Sequence, residues 1–361
     1  MTKYLVSFLP VGNFYFGGEH GFDSDDRKNY LVHSNPFPQQ TTILGALRYA
    51  LLQANDALTP VGGSPFNGKN IKEIESLIGA KSFDKNFVGD EQKKEQSFGI
   101  IQSLSPVFLI KDKGTVLLPK PKTEGFKFIA SNTNGGTFLT QKNKNIVFDL
   151  ENYKAKKGYE RQFTNTTDKQ DDIFIENKQI GILKNNRKDD DREGFYKQTF
   201  YRLKDKHAFG CIVMVNNETE WEKIPEKQIL RIGGDHSYFQ LTYQKASDDI
   251  LKQMTPQYSN EKGNSIVLLS NAYVENDIFE HCTFIFGESV DARFMQTNQE
   301  TIYHNDLPKK KEKQKTALNK TKKLSLLERG SVLFVKDMTK VKDCLDKNNW
   351  KNIGYNHYII H

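Results

Sequence analysis

The long connection between the first strand and the first helix constrains this chain most. Residues Lys3 to Leu9 are rich in β-forming side chains and end at Pro10, which predicts a strand. Either Thr41 or Thr42 can cap the helix that follows. Three leucines then share one helical face: Leu44, Leu47 and Leu51. About thirty residues separate the strand from the helix, and a loop of that length is uncommon in a compact domain unless it binds something.

Two pairs of adjacent glycines lie in predicted turns. The first is followed by an acidic residue and a histidine, and the second sits in the hairpin Ile229–Leu241: Gly17, Gly18, Glu19 and His20, then Gly233, Gly234 and His236. Glycine allows positive φ, and a turn of successive amides can accommodate a phosphate. The alternative to phosphate binding at both places is a turn with no ligand. At Gly233 a tight turn could also contact a phosphate, so the two interpretations can both hold there.

The motifs of several enzyme classes are missing from the sequence. The Gly-Gly-Asp-His turn differs from the Gly-Gly-Asp-Asp turn of polymerase palms because His236 replaces the second carboxylate. There is no HxH or HExxH pattern, no phosphate-binding P-loop and no GxSxG elbow. His20 alone could act as a general base, but no catalytic partner is visible beside it. The sequence therefore predicts a protein without catalytic activity, metal or cofactor.

Charge and cysteine content indicate the compartment and the kind of partner. The 361 residues carry 52 Lys and Arg against 45 Asp and Glu, a net charge of +7. This excess suits an anionic partner, although a lysine-rich proteome would give the same value. Cys211, Cys282 and Cys344 form no CxxC pair, which favours a reducing compartment. With no signal peptide and no membrane-spanning run, we expect a cytoplasmic protein without membrane contact.

Further cations are candidates for contacting nucleic acid. One polar segment interleaves them with an aromatic ring, so that phosphates and bases could both be bound: Lys154, Lys156, Lys157, Tyr159 and Arg161. Arg187 and Arg192 flank an acidic run nearby.

Arg48 lies beside an apolar helical stripe, where it needs a carboxylate or a phosphate as partner. The free N–H groups of the helix opening at Thr41 and Thr42 also suit a phosphate. The alternative for the segment from Lys154 to Arg161 is a solvated loop. The alternative for Arg48 is a structural ion pair, and for Thr41 and Thr42 it is a simple helix cap.

The order of predicted elements indicates two domains. A strand, a helix and a strand pair joined by the Asp112–Gly114 turn are the skeleton of a ferredoxin-like fold. We assign residues 1–215 to this domain, with an insertion at about 123–186. Residues 226–361 are predicted to form a second, degenerate copy that begins with the hairpin Ile229–Leu241. The predicted class is α+β, with two ferredoxin-like domains and an inserted β-hairpin.

Several motifs, in order, resemble one protein family. They are the "FYFGGEHGF" turn with "PFPQQTTILGALR", the hairpin "SLSPVFLIKDKGTVLLPKPK", the strand "IGILKNNRKDDDREGFYKQTFYRL", the turn "ILRIGGDHSYFQL", the strand "LERGSVLFV" and the terminal "NIGYNHYII". Together they resemble the Cmr-type RAMP proteins of type III-B CRISPR effectors over most of the chain. The C-terminal glycine-rich segment of that family is reduced to Gly354, so no role in RNA binding is carried onto it.

The resemblance implies a function and partners. It implies a non-catalytic subunit of a type III-B effector that recognises the 5′ handle of the guide RNA. Its protein partners would be the large polymerase/cyclase subunit and a backbone RAMP subunit. The insertion, Lys154–Lys178, would be a thumb that shapes the RNA. Two alternatives remain: a metal-independent CRISPR repeat endoribonuclease of the same superfamily, and a purely structural subunit.

Overall fold

The computed structural model describes residues 1–17, 29–58, 71–79, 97–112, 114–124, 127–131, 147–151, 160–183, 194–256, 265–297, 318–320, 323–347 and 349–361. Within these ranges strands far outnumber helices, so the predicted mixture of helix and sheet, dominated by strands, is confirmed. No helix in the described ranges is long and apolar enough to cross a membrane.

The first half of the chain contributes these elements in order: β1 (Thr2–Pro10), β2 (Asn29–His33), α1 (Gln40–Ala54), α2 (Ile71–Ile78), β3 (Ile101–Leu104), β4 (Phe108–Lys111), β5 (Thr115–Leu117), β6 (Lys127–Ser131), β7 (Val147–Glu151), α3 (Gln170–Ile173) and β8 (Phe174–Leu183). The predicted strand at Lys3–Leu9 and the predicted helix with its leucine face are confirmed, since Leu44, Leu47 and Leu51 are buried.

The second half contributes β9 (Gly194–Leu203), β10 (His207–Val215), α4 (Glu218–Trp221), β11 (Lys227–Arg231), β12 (Tyr238–Lys245), α5 (Asp248–Gln253), β13 (Ser265–Leu268), β14 (Ala272–Tyr273), α6 (Ile278–His281), β15 (Cys282–Phe286), β16 (Ser289–Ala292), β17 (Met295–Thr297), β18 (Leu318–Lys320), β19 (Leu324–Leu327), β20 (Val332–Val335), α7 (Met338–Asp346) and β21 (Tyr358–Ile360). Strands β6 and β7 pair with each other, as do β17 and β18, while β14, β19 and β16 form a three-stranded sheet.

The first large sheet has the order β11-β12-β1-β10-β4-β5, with β3 also paired to β10, and all neighbours are antiparallel. Numbered along the chain, β1, β4, β10 and β12 lie in the order 4-1-3-2. The assignment of the hairpin Ile229–Leu241 to the second domain is therefore wrong. Strand β12 pairs with β1, with Phe8 opposite Leu241, and so covers an edge of β1 that would otherwise expose unpaired backbone groups.

The second large sheet has the order β15-β20-β13-β21, again entirely antiparallel. Numbered along the chain, its four strands also lie in the order 4-1-3-2. Helices α6 and α7 follow its first and third strands, and they contribute Ile278, Val341 and Leu345 to a core shared with the sheet. All four strands of this sheet lie within the predicted second domain, residues 226–361.

Aromatic rings fill the buried face of the first sheet around Phe209 on β10. The ring centroid of Phe209 lies 5.4 Å from Phe14, 5.8 Å from Phe37, 6.1 Å from Phe174 and 6.2 Å from Phe239. These partners come from the first loop, the loop before α1, strand β8 and strand β12. Burial of such large rings is a principal source of stability, and here it joins distant segments into one core.

The second part of the predicted insertion belongs to this core. Phe163, Ile173 and Phe174 are at most 3 % exposed and pack in the same cluster as Phe209. Strand β8 then pairs along its whole length with β9, which pairs with β2. The prediction that Lys154–Lys178 lies outside the core is therefore wrong from residue 160 to residue 174. The segment is mostly polar, so its composition did not indicate that three apolar side chains, Phe163, Ile173 and Phe174, anchor it in the core.

A buried ion network connects the segment after β5 with the turn before β20. Lys122 is 4 % exposed and forms a salt bridge with Glu328, which also accepts a bond from Arg161 at 3.2 Å. Arg161 reaches the more exposed Glu288 at 2.9 Å. Although burial alone raises the pKa of Glu328, the charges of Lys122 and Arg161 hold it below its usual range. The backbone N–H of Lys122 donates to the oxygen of Gly330 at 2.8 Å, so the network lies where the two large sheets meet.

We predict that Glu328→Gln lowers the free energy of unfolding by about 3 kcal/mol, because it leaves Lys122 buried without its counter-charge. The matched control is Glu288→Gln, which removes an exposed pair and should cost less than about 1 kcal/mol. Because the folded-state pKa of Glu328 is depressed, its contribution is present above its unfolded pKa of about 4.3 and is lost as the pH falls through the folded value. Denaturant titrations of the three proteins at neutral and acidic pH measure both effects, and equal losses in the two variants would contradict the assignment.

Candidate nucleic-acid interface

The turn between β11 and β12 lies directly against the first loop. Gly233 has a φ of +88°, and the N–H of Gly234 donates to the oxygen of Tyr15 at 2.9 Å. The buried hydroxyl of Ser237 accepts from the N–H of Tyr15 at 2.8 Å and donates to the oxygen of Gly234 at 2.6 Å. The residues that lead up to Gly17 therefore join the turn at Gly233 and Gly234 in one surface, which we call the glycine interface and define as residues 14–17 and 233–237.

The other edge of the first loop is held by β9 and by the residues after β2. Phe14 exchanges backbone hydrogen bonds with Tyr201 at 2.7 and 3.0 Å. Next, the N–H of Phe16 donates to the hydroxyl of Ser34 at 2.9 Å. The side-chain amide of Asn35 donates to the oxygen of Gly17 at 3.3 Å. Residues 14–17 are thus fixed on both sides, which makes the glycine interface a preorganised surface.

Two residues of the turn are exposed and have backbone amides without an acceptor in the described part of the chain. Asp235 and His236 have φ values of 48° and 55°, in the left-handed region. Both residues are exposed, and their backbone N–H groups have no hydrogen-bond acceptor among the described residues. The carboxylate of Asp235 accepts a bond from the side chain of Gln198. Successive unbonded amides in a turn of this kind suit an anion such as a phosphate oxygen.

Another exposed histidine, His33, lies at the end of β2, where it pairs in register with Thr199 of β9. In the described part of the chain no group of three or more His, Cys, Asp and Glu is arranged to hold a metal ion.

The opening of α1 is not the phosphate site that the sequence predicted. Gln39 takes the N-cap position without a side-chain cap, so neither Thr41 nor Thr42 caps the helix. Instead the fully buried hydroxyl of Tyr355 lies at this end and donates to Gln39 Oε1 at 2.9 Å. Burial raises the pKa of Tyr355, and hydrogen bonds from Thr41 and from the N–H of Gln40 partly oppose this. Tyr355 therefore occupies the amides that a phosphate would need.

Two predicted cations lie away from the glycine interface. Arg48 is 7 % exposed and its guanidinium lies 5.8 Å from the ring centroid of Phe98, so it is part of the interior rather than of a surface open to RNA. Arg161 belongs to the ion network with Glu328 and Glu288. Among the predicted residues, the structure brings together Gly17, Gly233, Gly234 and His236.

The remaining candidates lie outside the described residues: Gly18, Glu19, His20, Lys154, Lys156, Lys157, Tyr159, Arg187 and Arg192. The sequence reasoning also missed residues that build the interface, namely Asn35, Gln198 and Ser237. Their amides and hydroxyl are common polar groups, and only the folded arrangement distinguishes them.

Comparison with known families identifies the chain. The profile of the family described as CRISPR-associated protein (Cas_Cmr3) matches residues 6–157 and 155–361. The chain belongs to the Cas_Cmr3 family. The family resemblance drawn from the sequence motifs is thereby confirmed, and the glycine interface is a feature of a Cas_Cmr3 protein. Comparison with curated protein sequences finds no match.

Solved structures similar to this Cas_Cmr3 protein include two cryo-EM structures of the Type III-B Cmr-beta bound to cognate target RNA, one of them also with AMPPnP. The two matched chains are 12 % and 13 % identical, with TM-scores of 0.47 and 0.45, and each alignment covers 99 % of this chain and 96 % of the other. A chain of the crystal structure of a Csm3-Csm4 subcomplex of type III-A is 13 % identical, with a TM-score of 0.38, and the alignment covers 92 % of this chain and 93 % of that one. Similarity at these values adds nothing to the family assignment.

We predict that Gly233→Ala destabilises the Cas_Cmr3 protein by about 2 kcal/mol or more. The left-handed φ alone costs an L-residue about 1–2 kcal/mol, and an added Cβ would meet the oxygen of Tyr15 at 2.4 Å. Gly114→Ala is the matched control, because its Cβ would have nothing within 4 Å. It should change the free energy of unfolding by less than about 0.5 kcal/mol. Denaturant unfolding compares the two variants, and equal stabilities would show that the turn does not depend on its contact with Tyr15.

Proposed function

We propose that this chain is a non-catalytic subunit of a type III-B CRISPR effector that binds the 5′ handle of the guide RNA at the glycine interface. The observation that carries the proposal is the hydrogen bonding of Tyr15, two residues before Gly17, to Gly234 and Ser237 of the second glycine turn. The same turn carries the amides of Asp235 and His236, which have no acceptor among the described residues. Membership of the Cas_Cmr3 family supports the context. Backbone amides hold phosphates and fix the register of a strand without reading its sequence.

In this proposal the protein also connects other subunits of the effector. It would bridge the large polymerase/cyclase subunit and a backbone RAMP subunit, as the resemblance implies. RNA and further subunits of a Cmr complex are thus the proposed partners, and the net charge of +7 suits the RNA. We further propose that the part of the insertion at 123–159 shapes the RNA as a thumb, with Lys154, Lys156, Lys157 and Tyr159 as RNA contacts, and that Arg187 and Arg192 also contact RNA.

We also propose two ferredoxin-like domains, divided after residue 256 rather than at residue 215. The first would span residues 1–256 and the second residues 265–361. The support is the 4-1-3-2 order of antiparallel strands in both large sheets, which is the order that the split βαβ arrangement produces. Each sheet also has a helix between its first and second strands and another between its third and fourth.

We predict that handle binding depends on the glycine interface and on backbone charge. Gly17→Asp should weaken binding of a guide RNA about fivefold, because one carboxylate beside a phosphate costs about 1 kcal/mol in water. An added Cβ at Gly17 has only an ordinary contact at 3.6 Å, so the variant should fold. Gly114→Asp carries the same charge at a distant hairpin and should bind like the wild type.

Fluorescence anisotropy with guide RNAs that carry or lack the 5′ handle measures this effect. The wild type should prefer the RNA with the handle, and the preference should fall in Gly17→Asp alone. Affinity should also fall steeply with salt, by about 0.7 logarithmic units per logarithmic unit of salt for each phosphate contact. Equal affinity for the two RNAs in the wild type would refute handle recognition.

The alternative function is endoribonuclease activity, in which an exposed histidine such as His33 or His236 would act as the general base. We predict no cleavage, since neither histidine has a second catalytic group assigned to it. Labelled CRISPR repeat RNA, incubated with the purified protein with and without divalent metal, should remain intact. A discrete product that disappears in His33→Ala or in His236→Ala would establish the endoribonuclease instead.

A further inference from the structure

One face of the first sheet is covered at one end and bare at the other. Leu5 and Leu9 are four residues apart on β1, so their side chains point to the same face. Leu5 is 4 % exposed and packs in a cluster with Phe108, Ile110 and Ile250, the last from α5. Leu9 is 43 % exposed. Helix α5 therefore covers the face over β4, β5 and the start of β1, but not over the end of β1, β12 and β11.

The strand registers define which side chains share the bare end. Leu9 pairs with Gln240, which pairs with Ile229, and these three residues lie in one row across three strands. Ser7, Thr242 and Lys227 form the next row in the same way. On the opposite side of the Leu9 row, Arg231 pairs with Tyr238, whose backbone oxygen accepts from the N–H of Val11 at 2.9 Å. Val11, Tyr238 and Arg231 therefore form the third row. Directly opposite residues of antiparallel strands point to one face.

This surface, which we call the open face, combines apolar, aromatic and cationic groups. Ile229 is 55 % exposed, Tyr238 46 % and Val11 61 %, far above what a covered sheet would leave. Lys227 and Arg231 are also exposed. The nine positions of the three rows contain no carboxylate: Ser7, Leu9, Val11, Lys227, Ile229, Arg231, Tyr238, Gln240 and Thr242.

The open face continues into a groove that is also rich in cations. Leu9, Val11 and Gly12 line a cavity of about 430 Å³ together with three cations at the end of β9 and just after it: Arg202, Lys204 and Lys206. These cations are paired with Asp205 at 3.4 Å, Asp168 at 3.2 Å and Asp112 at 3.6 Å, respectively. Lys227 and Arg231 form no ion pair with a described residue, and on a face whose nine positions carry no carboxylate their charge favours a polyanion over a protein surface as the occupant.

We propose that the open face and its groove bind single-stranded RNA by stacking a base on Tyr238 and pairing phosphates with Arg231 and Lys227. Aromatic side chains on a sheet bind unpaired bases in this way, and a cationic path follows the backbone. This surface goes beyond the proposed handle contacts, which use the amides at the tip of the β11–β12 hairpin. It provides a second, sequence-tolerant contact for RNA alongside that tip.

The test uses a fluorescently labelled oligouridine, which carries no handle and has no duplex. Tyr238→Ala should weaken binding about tenfold, within the range of base–aromatic stacking energies. Tyr238→Phe keeps the ring and should bind like the wild type. Arg231→Ala should lower the slope of log affinity against log salt by about 0.7 units, because one phosphate contact is lost. Lys340→Ala removes an exposed cation on α7 and is the control for net charge.

A second readout maps the contact. Photo-crosslinking of an oligouridine that contains 4-thiouridine should label a peptide within residues 227–245 of the wild type and lose that label in Tyr238→Ala. The substituted side chains are exposed, so unchanged melting temperatures confirm that the variants fold.

Failure of this proposal is distinguishable from failure of handle recognition, which is measured with Gly17→Asp and handle-bearing RNA. Absence of oligouridine binding, unchanged affinity in Tyr238→Ala, or crosslinks that lie outside residues 7–12, 202–207 and 227–245 would each overturn the open-face assignment. If Tyr238→Ala instead abolished assembly with other effector subunits while RNA binding persisted, the face would be a protein interface and the proposal would be wrong.

Discussion

The packing of aromatic rings around Phe209 is the contact on which the rest of the structure depends. Phe14, Phe37, Phe174 and Phe239 reach it from four separate segments, and each ring removes a large apolar area from water. Phe37 also supports the guanidinium of Arg329, which lies 3.9 Å from its ring centroid and donates to the oxygen of Val107 at 3.0 Å. Burial lowers the pKa of Arg329 to about 10. The same aromatic core therefore ties the turn before β20 to the first sheet.

This core explains why the glycine interface lies where it does. Because Phe14 and Phe16 are anchored among the rings, the backbone between them must run over the end of the sheet. There it hydrogen-bonds to Tyr201 on one side and to Gly234 on the other. The phenylalanines provide the packing, and glycine allows the two backbones to approach each other closely. A Cβ at Gly233 would lie 2.4 Å from the oxygen of Tyr15. Rigid packing beneath and exposed amides above are what a preorganised binding surface requires.

Local patterns in the sequence predicted the elements well, and non-local pairing limited the rest. The leucine face of α1 follows from helical spacing, and β1 follows from a run of β-forming residues that ends at Pro10. Nothing local reveals that β12 pairs with β1 rather than with later strands. The hydroxyl that lies at the start of α1 belongs to Tyr355, far along the chain, whereas local propensity favoured a cap by the nearby threonines. For the site, the contact of Tyr15 with the turn at Gly233 and Gly234, and the polar groups that support it, required the fold.

The proposed recognition of a particular RNA end requires more than the amides of the glycine interface. Amides bind phosphates irrespective of the attached base, so they set the position of a strand and leave its sequence unread. Bases must be read by side chains with directional donors and acceptors. Asn35 and Gln198 have such groups beside the turn, although each already donates one hydrogen bond within the protein. Each amide keeps a second N–H and a carbonyl oxygen for a base edge. On this argument the glycines would determine where the handle lies, and side chains such as these two amides could determine which handle is accepted.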